Sequence, residues 1–398
     1  MAEKDIFKAA KGLQKELVYI RRELHKRAEI GFDLPQTTEF VQEKLKEYGY
    51  APKPCGKSGV VAEIGKGEGA LLLRADMDGL PITEKTGLNF ACKTGRMHAC
   101  GHDLHTAALL GAAKLLKENE RELKGRIKLL FQPAEELLQG AKAMIDSGVL
   151  KNPKVEGAMM LHVLTATPFP TGNVVVATGI SAPAADFFTI IVRGKSAHGA
   201  AAQTGVDALS VAAHILVALQ EISARELSPA SPAVLTIGKC VGGTAANVLA
   251  DRVELSGTLR AFDEQTRLRV KRRMEEICKG IAKAFRAKVC VRYEGGCPCL
   301  VNDEKLSALA LERLQKTLGK ENALSMAELG GSVTQNSGGS EDFAYIAQVV
   351  PSVMIGLAAG DTADGYLYPL HNPKTSFDEA ALCVGAATYA SMAFAWKA

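Results

Sequence analysis

Cys100 and His102 flank a single glycine in the run Met97-His98-Ala99-Cys100-Gly101-His102-Asp103-Leu104-His105. Glycine permits backbone angles that are closed to other residues, so both side chains can turn onto one ion. Thiolate and imidazole together suit zinc and similar borderline cations. His98, Asp103 and His105 crowd the same stretch and are better read as groups that orient or cap ligands. A second run, Phe131-Gln132-Pro133-Ala134-Glu135-Glu136, closes an apolar segment and turns at the proline. It places two carboxylates where a helix is expected to start. Adjacent side chains at such a turn diverge, so one carboxylate can bind metal while the other accepts and returns a proton. The same acids would also suit a helix N-terminus for electrostatic reasons alone. A third run, Arg74-Ala75-Asp76-Met77-Asp78-Gly79-Leu80-Pro81, follows an apolar strand. Acids at the carboxyl end of a strand face the usual crevice of an α/β sheet. His162, at the end of another apolar run, and His371, in Leu370-His371-Asn372-Pro373, complete the candidates. His214, inside a helical stretch, reads as a structural histidine, and His25 is ambiguous.

These residues need elements to hold them. Ile6, Leu13, Leu17, Ile20 and Leu24 recur at helical spacing and predict a helix over 5–27. Apolar runs at 60–64, 71–74, 127–131 and 158–163 predict buried strands, and helices are expected at 36–48, 104–117 and 135–148. That alternation predicts a central sheet covered by helices. From about residue 184 the texture changes. Strands at 187–192, 233–241, 252–261 and 288–294 enclose helices at 206–226 and 266–287, the β-α-β-β-α-β order of a ferredoxin-like unit. It is complete within one insertion, so the expected domains are 1–183 with 298–398, and 184–297. Afterwards a helix at 303–318, a glycine-rich loop at 330–340, a strand at 352–356 and a helix at 376–395 are expected.

The bulk composition narrows the classes. The chain has 398 residues, 47% of them hydrophobic, with a formal net charge of +4. That is enough apolar material for a large core, and too little clustered charge for a nucleic-acid partner. The charged start, MAEKDIFKAAK, has no apolar signal core, and no run is long enough to cross a bilayer. Nine cysteines at irregular spacing fit reduced thiols, so a cytoplasmic protein is expected.

In chain order, Arg74–Pro81, Met97–Asp103, Pro133-Ala134-Glu135-Glu136, Leu161-His162-Val163, Gly242-Gly243-Thr244-Ala245-Ala246-Asn247-Val248 and Gly339-Ser340-Glu341-Asp342-Phe343 resemble the M20 metallopeptidases. The likeness is to their aminoacylase and hippurate hydrolase-like amidohydrolase branch, and it runs from about Tyr19 to Ala387. It implies an α/β fold with a central mixed sheet flanked by helices, of the dinuclear zinc-peptidase type. It also implies an inserted ferredoxin-like lid and dimerisation domain. In that likeness Cys100 bridges two divalent ions. His102 and His162 complete one, and Glu136 and His371 the other. Zinc, manganese, cobalt or nickel would serve. Glu135 is the implied general base and acid, and Asp78 the acid that orients a site group. Asp76 stands where many relatives carry a ligand histidine. His198 matches a histidine that reaches a partner subunit's site, while Asn247 and Arg260 match positions that hold a substrate carboxylate. The expected reaction is hydrolysis of the amide bond of an N-acyl amino acid, by a homodimer with no nucleic-acid or membrane partner.

Departures from the family pattern bear on specificity. Ala28-Glu29 replaces the usual Pro-Glu, Ala200-Ala201-Ala202 lacks a common proline, and Gly295-Gly296-Cys297-Pro298-Cys299 and the loop Leu164–Gly172 are atypical. A dipeptidase or carboxypeptidase with the same metals, and a non-catalytic binding homologue, are the alternatives. A serine hydrolase is disfavoured, because Gly179-Ile180-Ser181-Ala182-Pro183 lacks the final glycine of a nucleophile elbow.

Overall fold

Apolar periods of 3.6 and 2 residues become the helices and strands of two separate units in a computed structural model. It describes residues 3–231, 233–329 and 339–397; most of the expected glycine-rich loop 330–340 lies outside them. One unit gathers the chain up to Ser181 and most of it from Val301 onward, and the main body of the other is Ala182–Leu300.

In the first unit, helices α1 (Glu3–Gly12), α2 (Gln14–Lys26) and α3 (Pro35–Glu47) lead into strands β1 (Lys53–Cys55), β2 (Gly59–Ile64) and β3 (Ala70–Asp76). Then come α4 (His102–Glu118), β4 (Arg126–Gln132), α5 (Gly140–Asp146), β5 (Val155–Leu164), β6 (Val174–Val176) and β7 (Gly179–Ala182). The second unit follows as β8 (Ala184–Arg193), α6 (Ala208–Glu221), β9 (Ala233–Gly242), β10 (Arg252–Ala261), α7 (Glu264–Ala284) and β11 (Lys288–Cys297). The chain continues through β12 (Leu300–Asn302), α8 (Glu304–Leu318), β13 (Ala323–Ser325), α9 (Ala344–Ala347), β14 (Ser352–Ala358) and α10 (Ala381–Ala395).

The first unit's eight-stranded sheet runs β1-β2-β4-β3-β5-β14-β6-β13. Its centre, β4-β3-β5-β14, is parallel, and antiparallel pairings occur at β1-β2, β2-β4 and β14-β6. Every residue of β3 is buried, as a strand covered on both faces requires. Helices α1, α2, α4, α8 and α10 pack together against this core. The parallel centre sets the carboxyl ends of β3, β4 and β5 side by side, where Asp76, Gln132 and His162 lie.

The second unit's sheet is β11-β8-β10-β9, antiparallel throughout, with α6 and α7 joining its apolar face in one core. Asp186, buried on β8, receives both Nε and Nη2 of Arg267 and the Nζ of Lys271. The β-α-β-β-α-β order is the ferredoxin-like pattern.

Local differences from the sequence reading have identifiable causes. The helix expected over 5–27 breaks after Gly12, a poor helix former. The last helix starts at Ala381, because Asp378 Oδ1 takes the N–H of Ala380 in a local turn. The helix expected from 135 starts only at Gly140. Ala134 and Leu138 have φ of 59° and 53°, outside the right-handed helical region, so Glu135 and Glu136 sit in a tight turn. The short strands β6, β7, β12 and β13 carried no clear period. No helix among the described residues is long and apolar enough to cross a membrane.

The Arg74 guanidinium lies fully buried at the end of β3. Nη1 bonds Asp76 Oδ2 at 2.7 Å, Nη2 bonds Asp342 Oδ1 at 2.8 Å and Nε bonds Gln132 Oε1 at 3.0 Å. Removing one partner of a buried ion pair strands the other charges. Arg74→Met is therefore expected to lower unfolding free energy by about 3–5 kcal/mol, read as a reduced urea midpoint. An unchanged midpoint would show that the cluster contributes no net stability.

Candidate metal centre

Gly101 adopts φ of 88°, and a Cβ there would meet Val163 Cγ2 at 2.3 Å. Only glycine fits both demands. This residue immediately precedes α4, so Cys100 leaves a loop while His102 opens the helix. The two side chains converge: the ligand atoms of Cys100, His102 and His162 all lie within 4.8 Å of one another, and so do those of Cys100, Glu136 and His371. Cys100 belongs to both groups.

Backbone acceptors fix the tautomers of two histidines. His102 Nδ1 donates to the Asp78 carbonyl at 2.8 Å, which turns Nε2 inward. His162 Nδ1 donates to the Val163 carbonyl at 2.8 Å, leaving Nε2 3.6 Å from Cys100 Sγ. His371, half exposed, is held by its own backbone: its φ is 65°, and its N–H donates to the Ala99 carbonyl at 3.0 Å.

Asp78 organises the glutamate turn. Its Oδ1 accepts the N–H of Glu135 at 3.0 Å and its Oδ2 that of Glu136 at 3.2 Å. Both glutamates reach His102, with which their ligand atoms form one group, and they differ at Cys100. Glu136 Oε1 lies 3.4 Å from His371 Nε2 and joins the Cys100 group, whereas Glu135 does not. Glu135 Oε2 is 3.9 Å from His102 Nε2. A further cluster, Asp76 with His102 and His105, is differently built. There His105 Nδ1 is 2.6 Å from Asp76 Oδ1, and His102 faces Asp76 with the Nδ1 already committed to Asp78. These are hydrogen-bonding atoms: Asp76 accepts from His105, and the Asp78 carbonyl accepts from His102.

The residues present fit a pair of divalent cations. Buried polar atoms are normally hydrogen-bonded. Yet His102 Nε2 and Glu136 Oε1 are buried with no hydrogen-bond partner among the described residues, and both point into the cluster of soft and borderline donors. Charge is arranged to match. Burial and the Glu136 carboxylate push the Cys100 thiol up, but the His102 and His162 imidazoles outweigh them and bring it down to about 6. The neighbouring Cys100 and Glu136 side chains, both able to carry negative charge, raise His371 to about 10. Burial opposes protonation of His102, but Asp76 and Cys100 carry it well above the usual imidazole value. Burial also raises Asp78, which acts mainly through its hydrogen bonds.

In the second unit, His198 is exposed and its Nδ1 accepts the N–H of Ala200 at 3.1 Å, so Nε2 carries the proton outward. The exposed Asn247 takes the N–H of Gly199 on its carbonyl at 2.7 Å, tying the two loops together. Arg260, half buried on β10, has its guanidinium carbon 5.6 Å from the centre of the Phe187 ring. Sequence reasoning did not single out Tyr389, Gln132 or Asp342 as groups that support the site. Tyr389 bonds residues more than 200 positions away, and no local pattern marks such a contact.

Comparison with known proteins is consistent along the chain. The model of peptidase family M20/M25/M40 matches residues 72–395. The chain is 41% identical over 374 residues to the N-acetyl-L-cysteine deacetylase of Bacillus subtilis (strain 168), covering 93% of this chain and 85% of that protein. It is 36% identical over 384 residues to the IAA-amino acid hydrolase ILR1-like 2 of Arabidopsis thaliana, covering 95% and 84%. The crystal structure of a Bacillus subtilis dinuclear metal-binding peptidase of family M20 aligns with a TM-score of 0.77 at 31% identity, over 97% of this chain and 99% of that one.

Histidines must give up their protons to bind metal. His371 holds its proton up to about 10 and His102 is raised above the usual imidazole value, so the proton competes with metal at neutral pH. Metal uptake at neutral pH is therefore expected to release protons, and apparent affinity to rise with pH between 6 and 9, below the His371 value of about 10. Calorimetry in buffers of different ionisation enthalpy measures the release. Proton-neutral binding would contradict the arrangement.

Proposed function

The chain belongs to the M20/M25/M40 peptidase family and is a metal-dependent amidohydrolase, and on that premise we propose that it cleaves the amide bond of a small N-acyl amino acid. The observation that carries the reading is the division of labour in the glutamate turn. One carboxylate joins Cys100 and His371, and its neighbour stays outside that group, both backbone amides being held by Asp78. Divalent ions held by Cys100, His102, Glu136, His162 and His371 would supply positive charge that acidifies a water and polarises the amide carbonyl. Zinc, manganese, cobalt and nickel all suit this donor set.

The remaining work falls to side chains. Glu135, buried and fixed through its N–H, takes a proton from the attacking water and returns it to the leaving nitrogen. Asp78 keeps both glutamates and the His102 ring in register through its carboxylate and its carbonyl. Arg260 offers a guanidinium whose fork matches a substrate carboxylate, with Asn247 as a second polar contact. His198 presents an N–H to the carbonyl oxygen as it gains negative charge. In this reading His198 serves the site of a second copy of the chain, and the active form is a homodimer. The names of two relatives, an N-acetyl-L-cysteine deacetylase and an IAA-amino acid hydrolase, support an N-acyl amino acid, while relatives named thermostable carboxypeptidases, 33% identical, support a peptide as the second reading.

Replacing Glu135 by Gln is expected to leave metal content intact and to lower kcat by about 10²–10⁴-fold. Glu136→Gln is expected to lose metal as well. Elemental analysis alongside hydrolysis of N-acetyl, N-benzoyl and dipeptide substrates measures both, and near-normal turnover by Glu135→Gln would remove it as the base. Mixing Glu135→Gln subunits with His198→Ala subunits tests the dimer. Mixed dimers hold one intact site if His198 acts across subunits, so activity returns in part. Activity that stays at the sum of the two variants despite confirmed exchange would refute the cross-subunit role.

A further inference from the structure

Next to the metal centre the β3–β5 ladder stops early. β3 pairs with β5 only as far as Arg74 opposite Met160, yet it stays paired with β4 to Asp76 opposite Gln132. β5 runs on against β14 to Leu164 opposite Ala358. Beyond Met160, the N–H groups of β5 that face β3 require other acceptors, because buried backbone donors are almost always paired. Two side chains provide them. Leu161 donates to the Tyr389 hydroxyl at 3.0 Å, and that hydroxyl donates to the Arg74 carbonyl at 2.7 Å. Val163 donates to His105 Nε2 at 2.8 Å, and His105 Nδ1 meets Asp76 Oδ1 at 2.6 Å. A backbone N–H can only donate, so His105 Nε2 bears the lone pair and Nδ1 the proton. Tyr389 from α10 and His105 from α4 are both fully buried. Each stands where a strand partner would, with one end on β3 and the other on β5.

Val163, the residue gripped by His105, also controls His162. Its carbonyl accepts from His162 Nδ1 and so leaves Nε2 facing Cys100. We propose that His105, anchored on Asp76 and assisted by Tyr389, is a positioning residue that holds β5 open from β3 at Val163 and thereby aims His162 at the metal. This rests on Cys100 and His162 being ligands. His105 and Asp76 themselves bind no ion; they act through the peptide that follows His162.

The test is a titration of Co²⁺ into metal-free protein, followed by calorimetry and by the thiolate-to-cobalt absorption. His105→Phe keeps an aromatic ring but offers Val163 no acceptor. His105→Gln restores one through its amide oxygen. Residues that orient ligands typically contribute about 10–100-fold in metal affinity, so that loss, with an altered thiolate band, is expected for His105→Phe. His105→Gln is expected to stay close to wild type. A role confined to folding would lower the unfolding midpoint but leave the affinity of the folded protein unchanged. Tyr389→Phe, which removes a single oxygen, is expected to weaken binding in the same direction, and it decides the matter if His105→Phe does not fold. Wild-type affinity in the folded phenylalanine variant, or equal losses in His105→Phe and His105→Gln, overturns the proposal. If wild-type protein itself gives no thiolate–cobalt band, the ligand assignment fails and the proposal falls with it.

Discussion

Arg74 carries a full positive charge into the interior at the carboxyl edge of the central sheet, and the surrounding frame depends on how that charge is met. Burying an ion is costly unless partners and hydrogen bonds replace water. Here two carboxylates and one amide do so: Asp76 on β3 itself, Asp342 from the chain after the glycine-rich segment, and Gln132 at the end of β4. Asp342 in turn accepts from Gln132 Nε2 and from the N–H of Ala141, near the start of α5. One guanidinium thus ties together two strand ends, a helix start and a distant segment. Burial pushes Asp76 up, but His102, His105 and Arg74 together hold it well below the usual carboxylate range. It stays charged, and it can anchor His105.

Around that frame the polar groups divide into two kinds. The frame atoms of Arg74, Asp76, Asp78, Gln132 and Asp342 make hydrogen bonds to named partners. His102 Nε2 and Glu136 Oε1 make none among the described residues, although both are buried. A satisfied scaffold that presents unsatisfied donor atoms is what a cation site requires, because the cation then replaces the missing hydrogen bonds. The positive φ values at Gly101, Ala134 and His371 fall at the turns that deliver Cys100, the glutamates and His371. Backbone in that region costs energy for residues other than glycine, and it persists where surrounding bonds enforce it.

Much of this was readable before any coordinates. The residue types offered Cys100, His102, the Glu135–Glu136 pair, His162 and His371 as candidates, and the likeness to the M20 metallopeptidases implied Cys100, His102, Glu136, His162 and His371 as the ligands; the structure brings the ligand atoms of those five into two groups that share Cys100. Strong periods located β3, β4, α4 and the β-α-β-β-α-β unit, since each buries a regular apolar face. The glutamate turn was misread as a helix start, because proline and acidic residues are also favoured in the first turn of a helix. What redirected it was the carboxylate of Asp78, more than 50 residues earlier. The Tyr389 bridge and the Asp342 contacts were invisible for the same reason: hydrogen bonds between distant segments leave no local period. Short strands such as β6 and β13 form because long neighbours present open edges to them, and three residues are too few to show alternation.

The most direct measurement is anomalous diffraction from crystals of the metal-loaded protein, collected at the edge of the bound metal. Two peaks about 3.5–4 Å apart are expected, the usual spacing of paired catalytic ions. One should lie against His102 and His162 and the other against Glu136 and His371, with Cys100 Sγ touching both. A single peak, or a peak seated between Asp76 and His105, would contradict the account.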